Sequence, residues 1–218
     1  ISYNNKFAQI TLLVKDNEGY ENLLYLSSIS HIQNNKNIGI TFKDIYNHTK
    51  GLICYVGGDL NPLLFFKIQN KDKELINFLS KIKMYFNDDF YIELQRINDP
   101  LLDEYENDFI NIASDLNIPI IASNNTKYVN KNDHEAHDAL LCIANKTTIN
   151  QEKRLKSNPN IFFKNSNEMY ELFKDISIII ENNFKVALKC KFYPKELSVR
   201  LPKFISDLKT SEENQLIK

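Results

Sequence analysis

Short, continuously apolar runs alternate with amphipathic stretches along this chain, and that alternation constrains its fold more than any other feature. The segments Phe90–Gln95 and Ile118–Ala122 have the composition of buried strands. Between them, Asp103–Leu116 carries apolar side chains at helical spacing. Strands separated by helices pair in parallel through crossover connections, and strands covered on both faces are apolar throughout. The sequence therefore predicts an α/β fold with mostly parallel strands and outer helices.

The same patterns predict the remaining elements. Further strands are expected at Phe7–Val14, Gly51–Gly58 and Ile161–Phe163, and Asp59 and Pro62 are helix-start signals. Helices are expected at Tyr20–His31, Leu75–Phe86, Asp133–Ala144, Ser166–Phe173 and Ile178–Cys190. An open doubly wound sheet and a barrel both fit this order, although the chain is short for a complete eight-fold barrel.

Composition and charge exclude several classes of protein. The 218 residues carry 27 basic and 28 acidic side chains, with a formal net charge of -1, so a general phosphate-binding surface is not expected. The longest apolar stretches are far shorter than the ~20 residues that cross a bilayer. Cys54, Cys142 and Cys190 lack the spacing of a disulfide framework or a thiolate metal site, which predicts free thiols in a cytoplasmic protein.

Asparagine and lysine are abundant, and lysine far outnumbers arginine. Asparagine occurs in pairs at Asn34-Asn35, Asn124-Asn125 and Asn182-Asn183. A coding bias toward AT-rich codons would produce this composition. An asparagine or lysine at an interesting position is therefore, by itself, weak evidence for chemistry.

Three polar segments stand where functional groups collect in parallel folds, at strand ends and in the loops beyond them. The first is Glu93 with Arg96 just beyond it, the second is Ser123–Lys127, and the third is Asp133–Asp138. A carboxylate such as Glu93 inside an apolar strand is costly to bury without a partner. The alternative is an outward-facing side chain paired with a lysine.

The third segment contains two imidazoles and three carboxylates, a composition that suits a metal site. His134 and His137 are three residues apart and can share a helix face, but the zinc hydrolase pattern separates its histidines by four residues. Asp133 is explained as an N-cap. A structural role is favoured. Gly57-Gly58 is too short to cradle a phosphate, so the residues alone support a soluble α/β domain and no reaction.

Six short motifs, which follow one another along the chain, indicate a specific protein family, whereas the patterns above indicate only a fold class. They resemble the amino-terminal polymerase-and-histidinol-phosphatase (PHP) domain of the α subunit of bacterial DNA polymerase III. The match covers nearly the whole chain, and each motif alone would be weak. The motifs are Asn17–Leu24, Phe90–Gln95, Ile118–Tyr128, Ala136–Ile143, Phe163–Met169 and Glu181–Cys190.

The resemblance implies an incomplete, distorted, seven-stranded (βα) barrel of the PHP type whose carboxyl-terminal strand ends can hold metal ions. It assigns residues 1–200 to this domain and residues 201–218 to a linker or the start of the following polymerase region. It also implies that the opening strand, with a His-x-His motif, lies before Ile1. The polymerase palm, which binds magnesium and transfers nucleotides, is expected beyond Lys218.

The resemblance also bears on metal binding. Metal-binding members carry Asn-Asp-x-His-Tyr where this chain has Asn124 to Tyr128, so Asn125 replaces an aspartate and Lys127 replaces a histidine. A further histidine is replaced by Ile97, and Glu93 alone is retained. Divalent metals need several converging ligands. We therefore expect no metal and no catalytic residue in this segment, with Lys127 pairing with Glu93.

The resemblance predicts a scaffold within a DNA-directed DNA polymerase. Expected partners are the rest of the α subunit, DNA through the parent protein and, as a docking partner, the proofreading exonuclease; no membrane is expected. The alternative is an active phosphoesterase or 3′–5′ exonuclease using zinc or manganese. A free-standing enzyme of histidine biosynthesis with the same fold lacks support from the motifs.

Overall fold

The computed structural model describes residues 2–3, 6–7, 9–32, 39–58, 61–196 and 198. In this part of the chain the strands are β1 (Ser2–Tyr3), β2 (Lys6–Phe7), β3 (Thr11–Val14), β4 (Leu52–Val56), β5 (Phe90–Gln95) and β6 (Ile120–Ser123). The helices are α1 (Asn17–Ile32), α2 (Phe42–Tyr46), α3 (Pro62–Ile68), α4 (Asp72–Phe86), α5 (Pro100–Asp115), α6 (His134–Ala144), α7 (Ser166–Phe173) and α8 (Ile178–Lys189).

The main sheet has four strands in the order β3-β4-β5-β6. Strands β4, β5 and β6 are parallel, and every residue of β5 is buried. A strand buried on both faces must be apolar at nearly every position, and this explains the continuous run in the sequence. The prediction of a mixed α/β fold with mostly parallel strands is confirmed, and the sheet is consistent with part of a PHP-type barrel.

Strand β3 departs from that prediction because it pairs antiparallel with β4. The chain leaves β3 at Val14 and enters β4 at Leu52, and these two residues are partners in the register. Helices α1 and α2 lie between them, so this helical connection returns the chain to the sheet end that it left. Gly19 makes this return possible, because a Cβ at Gly19 would overlap the carbonyl oxygen of Gly51. The predicted strand Phe7–Val14 is interrupted, with Phe7 in β2.

Side chains on the two faces of β5 enter different packing layers. Phe90, Ile92 and Leu94 join the larger core cluster, which also contains buried side chains of α1, α3, α4 and α5. Tyr91 joins a smaller cluster with Val186 of α8. Because side chains alternate along a strand, Glu93 and Gln95 lie on the same face as Tyr91.

Helix α8 covers the outer edge of β6 with two asparagine side chains. Asn183 accepts a hydrogen bond from the Ala122 N–H and donates one to the Ala122 carbonyl oxygen, each at 2.9 Å. Asn182 donates to the Ile120 carbonyl oxygen at 2.9 Å. These amides pair the edge as a neighbouring strand would. Asn182 and Asn183 therefore have a structural role, although asparagine is abundant in the whole chain.

Helix starts follow ordinary capping chemistry. Asn61 caps α3 and precedes Pro62, Asp99 caps α5, and Asn165 forms a capping box with Glu168 at α7. The predicted start signal at Asp59 and the boundary between residues 200 and 201 lie outside the described residues. None of the described helices has the length and hydropathy required to cross a membrane.

The predicted strand Ile161–Phe163 forms a single parallel bridge, between Phe162 and Tyr128. The Lys127 N–H donates to the Ile161 carbonyl oxygen at 2.9 Å, and the Phe163 N–H donates to the Tyr128 carbonyl oxygen at 2.9 Å. These bonds join the segment after β6 to the loop before α7. They bring two segments that are distant in the sequence to one end of the sheet.

Replacing Asn183 with alanine should destabilise the fold by about 1–3 kcal/mol, because it leaves the N–H and carbonyl of Ala122 without partners. Lys185→Ala is the control, since Lys185 lies on α8 with its side chain 60% exposed and should change stability by less than about 0.5 kcal/mol. Denaturant unfolding measures both changes. Equal effects of the two variants would contradict the role of Asn183, and light scattering should detect added self-association through the open edge.

Candidate functional site

Three loops meet at the carboxyl end of the parallel strands. Gly57 and Gly58 follow β4, Ile97 follows β5, and Ser123–Lys127 completes and follows β6. The register pairs Glu93 with Ile121 and Gln95 with Ser123. Because these strands are parallel, the residues that follow them gather at one edge of the sheet.

A cavity of about 350 Å³ opens at this edge. It contains Glu93, Asn125 and Lys127, three of the four positions singled out from the sequence. Ile97, the fourth, is buried and lines a neighbouring cavity that also includes Asn125 and Lys127. The described residues around the first cavity are Gln9, Thr11, Tyr55, Gly57, Gly58, Glu93, Gln95, Ser123, Asn125, Thr126 and Lys127.

Gly57 allows the loop after β4 to touch strand β5. A Cβ at Gly57 would overlap the Cβ and carbonyl oxygen of Glu93 and lie 2.8 Å from its Oε2. Gly58 has φ of 77°, a conformation that favours glycine. The two glycines therefore bring the loop against the Glu93 carboxylate and do not act as a phosphate loop.

Glu93 lies in a polar but largely buried setting, with 7% of its surface exposed. Burial and the charge of Glu93 raise the pKa of Tyr55. Tyr55 therefore keeps its hydroxyl proton at neutral pH and can act as a donor. Gln95 donates through Nε2 to the Ser123 Oγ at 3.0 Å, whereas its buried Oε1 has no partner among the described residues.

The Lys127 side chain is exposed and takes part in none of the ion pairs that the described residues form. The expected ion pair between Lys127 and Glu93 is therefore not formed. The backbone explains why: the Lys127 N–H bonds to Ile161, and Asn125, with φ of 45°, turns the chain before it. Lys127 is placed at the rim between two cavities.

Among the residues that the structure describes, the donor set of the cavity does not fit a metal cluster. Glu93 is the one carboxylate among the described residues that line the first cavity. Within the described residues, no group of three or more histidine, cysteine, aspartate or glutamate side chains could hold a metal ion. Divalent metals in proteins require several such ligands at once. The expectation that the segment is metal-free stays a prediction, and metal analysis tests it below.

The two histidines of α6 hold the loop that follows the helix. His137 Nδ1 lies 2.7 Å from the Ser157 Oγ, and His134 Nε2 lies 3.2 Å from the Ser157 carbonyl oxygen. Asp138 accepts from the Ser157 N–H at 2.8 Å and pairs with Arg154 at 2.6 Å. These contacts give His134, His137 and Asp138 a structural role.

Asp133 has a different role from the one predicted. It makes no side-chain cap at the start of α6. Instead its carboxylate accepts from the Asn130 N–H at 2.9 Å and closes a capping box on the preceding 3-10 turn. The predicted cap is displaced because a short turn, Lys131–Asp133, precedes α6.

Arg96 connects the end of β5 to two helices. Its guanidinium binds Glu106 of α5 at 2.7 Å and Asp175 at 2.6 Å, just after α7, and it lies 4.9 Å from the Phe173 ring centroid. The two carboxylates raise the pKa of Arg96, and the guanidinium holds the pKa of Asp175 below its usual range. Arg96 thus ties the framework together and does not line the cavity.

The amino-acid sequence was also compared with known protein families and with individual proteins. Residues 2–97, which include β3, β4, β5 and Glu93, match the family described as PHP domain. The chain contains a PHP domain. Its similarity to relatives extends over nearly the whole sequence, beyond the matched range.

Those relatives are bacterial proteins named DNA polymerase III subunit alpha. The chain is 38% identical to the one from Rickettsia bellii over 217 residues, which is 97% of this chain and 18% of the relative. It is 31% identical to the one from Caulobacter vibrioides, over 89% of this chain and 17% of the relative, and 35% identical to the one from Borreliella burgdorferi, over 83% and 16%. The chain therefore spans less than a fifth of the length of these relatives.

Several residues around the two cavities could not be identified as site residues from the sequence. Gln9, Thr11 and Tyr55 come from β3, β4 and the residues before them, and Lys156 reaches the neighbouring cavity from the loop after α6. Each is a common residue type in an ordinary strand or loop. Only the pairing of the strands and the folding of that loop bring them to the site.

Replacing Gly57 with alanine should destabilise the PHP domain by about 1–3 kcal/mol, because the added methyl group forces the loop away from Glu93. The control is Thr126→Ala, since Thr126 lines the same cavity but is exposed. Denaturant unfolding compares the variants. If Gly57→Ala is as stable as Thr126→Ala, the close approach of loop and strand is not required.

Asp138→Asn should lower the melting temperature at neutral pH, and this deficit should shrink in acid. Arg154 and the Ser157 N–H hold the pKa of Asp138 well below its ordinary value of 3.8. The carboxylate therefore adds stability above about pH 4, which is lost as the pH falls toward the lowered pKa. Thermal unfolding from pH 7 to pH 3 measures the difference. Glu135→Gln, an exposed change on the same helix, should follow the wild type; a deficit in Asp138→Asn that is constant with pH would contradict this prediction.

Proposed function

We propose that this chain is the PHP portion of the α subunit of a replicative DNA polymerase III and acts there as a metal-free scaffold. The observation that carries the proposal is the cavity at the strand ends, where Glu93 is the one carboxylate among the described lining residues and Lys127 stands at the rim. Nucleotide transfer, with its magnesium ions, would belong to other parts of the parent protein. The relatives support this assignment, because the matched regions are 16–18% of their length in the three proteins described.

The replacements argue against phosphoester cleavage by the segment itself. Metal-dependent hydrolysis needs ions that polarise the phosphate and activate water. Asn125 supplies a neutral amide where an anionic ligand would stand, and Ile97 supplies no donor. The Lys127 ammonium adds a positive charge where a cation would bind. Glu93 alone does not assemble such a centre.

The surface supports a role in contacts with other parts of a larger protein. On α6, Leu140 and Ile143 are three residues apart on one helix face and are 61% and 75% exposed. Phe184 and Leu188 on α8 are 66% and 57% exposed. Exposed apolar groups of this kind are typical of protein interfaces. The rest of the α subunit is the expected partner, and the proofreading exonuclease is a second.

Metal analysis of the full-length protein tests the scaffold role. After exposure to zinc or manganese and dialysis, the wild type should retain no metal that depends on Glu93 and cleave no phosphoester at the PHP site. The matched variant Glu93→Gln separates this site from the polymerase site, because Glu93 is the one carboxylate that the described lining residues contribute to the cavity. Equimolar metal that Glu93→Gln abolishes, accompanied by phosphoester cleavage, would instead support a phosphoesterase or 3′–5′ exonuclease.

A gain-of-binding variant provides the converse measurement. Asn125→Asp combined with Lys127→His restores two ligand types beside Glu93 and removes a cation, so bound zinc should rise toward an equimolar amount. Lys131→His adds an imidazole outside the cavity and should bind no more zinc than the wild type. Equal zinc uptake by both variants would show that the cavity has no special capacity for metal.

A further inference from the structure

The chain that leaves α8 crosses to the beginning of α1. The Lys191 N–H donates to the Lys15 carbonyl oxygen at 2.9 Å, just beyond the end of β3. The Phe192 ring then stacks on the Tyr20 ring of α1, with the ring centroids 4.6 Å apart and the planes inclined by 20°. Stacked aromatic rings attract each other and bury apolar area. The carboxyl-terminal part of the chain is therefore anchored on α1 at Phe192.

An exposed apolar surface lies beside this anchor. Tyr20 and Leu24 are one helical turn apart on the outer face of α1 and are 38% and 50% exposed. Tyr193, the residue after the anchor, is 82% exposed. Ser27 and Ser28, on the next turn of α1, are small and exposed, and they leave room for a neighbouring segment. We call Tyr20, Leu24 and Tyr193 the α1 surface; apolar groups gathered in this way are typical of a contact site.

The sequence that follows the anchor has a complementary pattern. Residues 201–208 lie outside the described residues, and their sequence places apolar side chains at the i, i+3, i+4 and i+7 positions of a helix. The side chains between them are polar, apart from Pro202, which a helix tolerates in its first turn. An apolar stripe of this kind is stable in water only when another surface covers it. The four apolar residues are Leu201, Phe204, Ile205 and Leu208.

Chain length favours the α1 surface as that cover. Nine residue steps separate Phe192 from Leu201 and can span at most about 30 Å. Leu24 lies only about 6 Å along the helix axis from Tyr20, on which Phe192 is stacked. The segment therefore begins within reach of the α1 surface.

Charge favours the same arrangement. Glu18 and Glu21, in the first two turns of α1, are exposed and make that end of the helix acidic. Arg200 and Lys203 make the beginning of the segment basic. Opposite charges at the edge of an apolar contact fix its register and orientation.

We propose that residues 201–208 of this chain pack against the α1 surface, with their apolar stripe on Tyr20 and Leu24. The proposal goes beyond the scaffold function, because it assigns an occupant to a particular face of the PHP domain. It makes the segment after the domain part of the same packed unit, so the position of α1 determines where the following region begins.

Photo-cross-linking of the full-length protein tests the proposal. Benzoylphenylalanine placed at Leu24 should form a cross-link to a peptide that contains residues 201–208, identified by mass spectrometry. The same probe placed at Phe184, an exposed apolar position on α8, should not reach that peptide. Mixing unlabelled and 15N-labelled protein before irradiation distinguishes a contact within one chain from a contact with a second copy, which would join labelled and unlabelled peptides.

Matched variants test whether the apolar stripe makes the contact. Phe204→Asp should lower the yield of the Leu24 cross-link about tenfold, because it removes a phenylalanine whose burial would stabilise the docked segment. Ser206→Asp introduces the same charge between the apolar positions and should leave the yield unchanged. The proposal is overturned if the Leu24 probe forms no cross-link to residues 201–208, if it reaches a second copy or another part of the α subunit instead, or if the two variants have equal effects.

Discussion

Parallel hydrogen bonding between β4, β5 and β6 is the constraint on which the rest of the structure depends. It brings three strand ends to one edge, so the glycines after β4, Glu93 on β5 and the loop after β6 surround a common cavity. The buried side chains of β5 require cover on both faces, and helices on either side provide it. Position within this sheet, more than the identity of any one residue, decides which side chains can act together.

Several charged and amide side chains around the sheet form contacts that hold the elements of the fold together. Arg96 fastens β5 to α5 and to the chain after α7, and Asp138 with Arg154 fastens α6 to its following loop. Asparagines of α8 close the edge of β6. Arg96 and Arg154 are therefore both compensated by carboxylates.

Prediction from the sequence succeeded where local signals were strong. The strand Phe90–Gln95 and the helix Ser166–Phe173 have the predicted bounds, because a continuous apolar run and a capping box each define an element within a few residues. Prediction failed where a contact between residues far apart in the sequence determines the structure. The antiparallel pairing of β3 depends on the path of the chain through α1 and α2. The structural role of Asn183 depends on its hydrogen bonds to the edge of β6, which lies 61 residues earlier in the sequence.

The sequence by itself determined the α/β order and the mostly parallel sheet, because residue type and short-range spacing carry that information. Only the tertiary structure decided that Lys127 stands apart from Glu93, and that Lys156 joins it at a second cavity. Charge pairing depends on distances between loops, and those distances are fixed by backbone bonds such as that of Lys127 to Ile161. No local pattern encodes them.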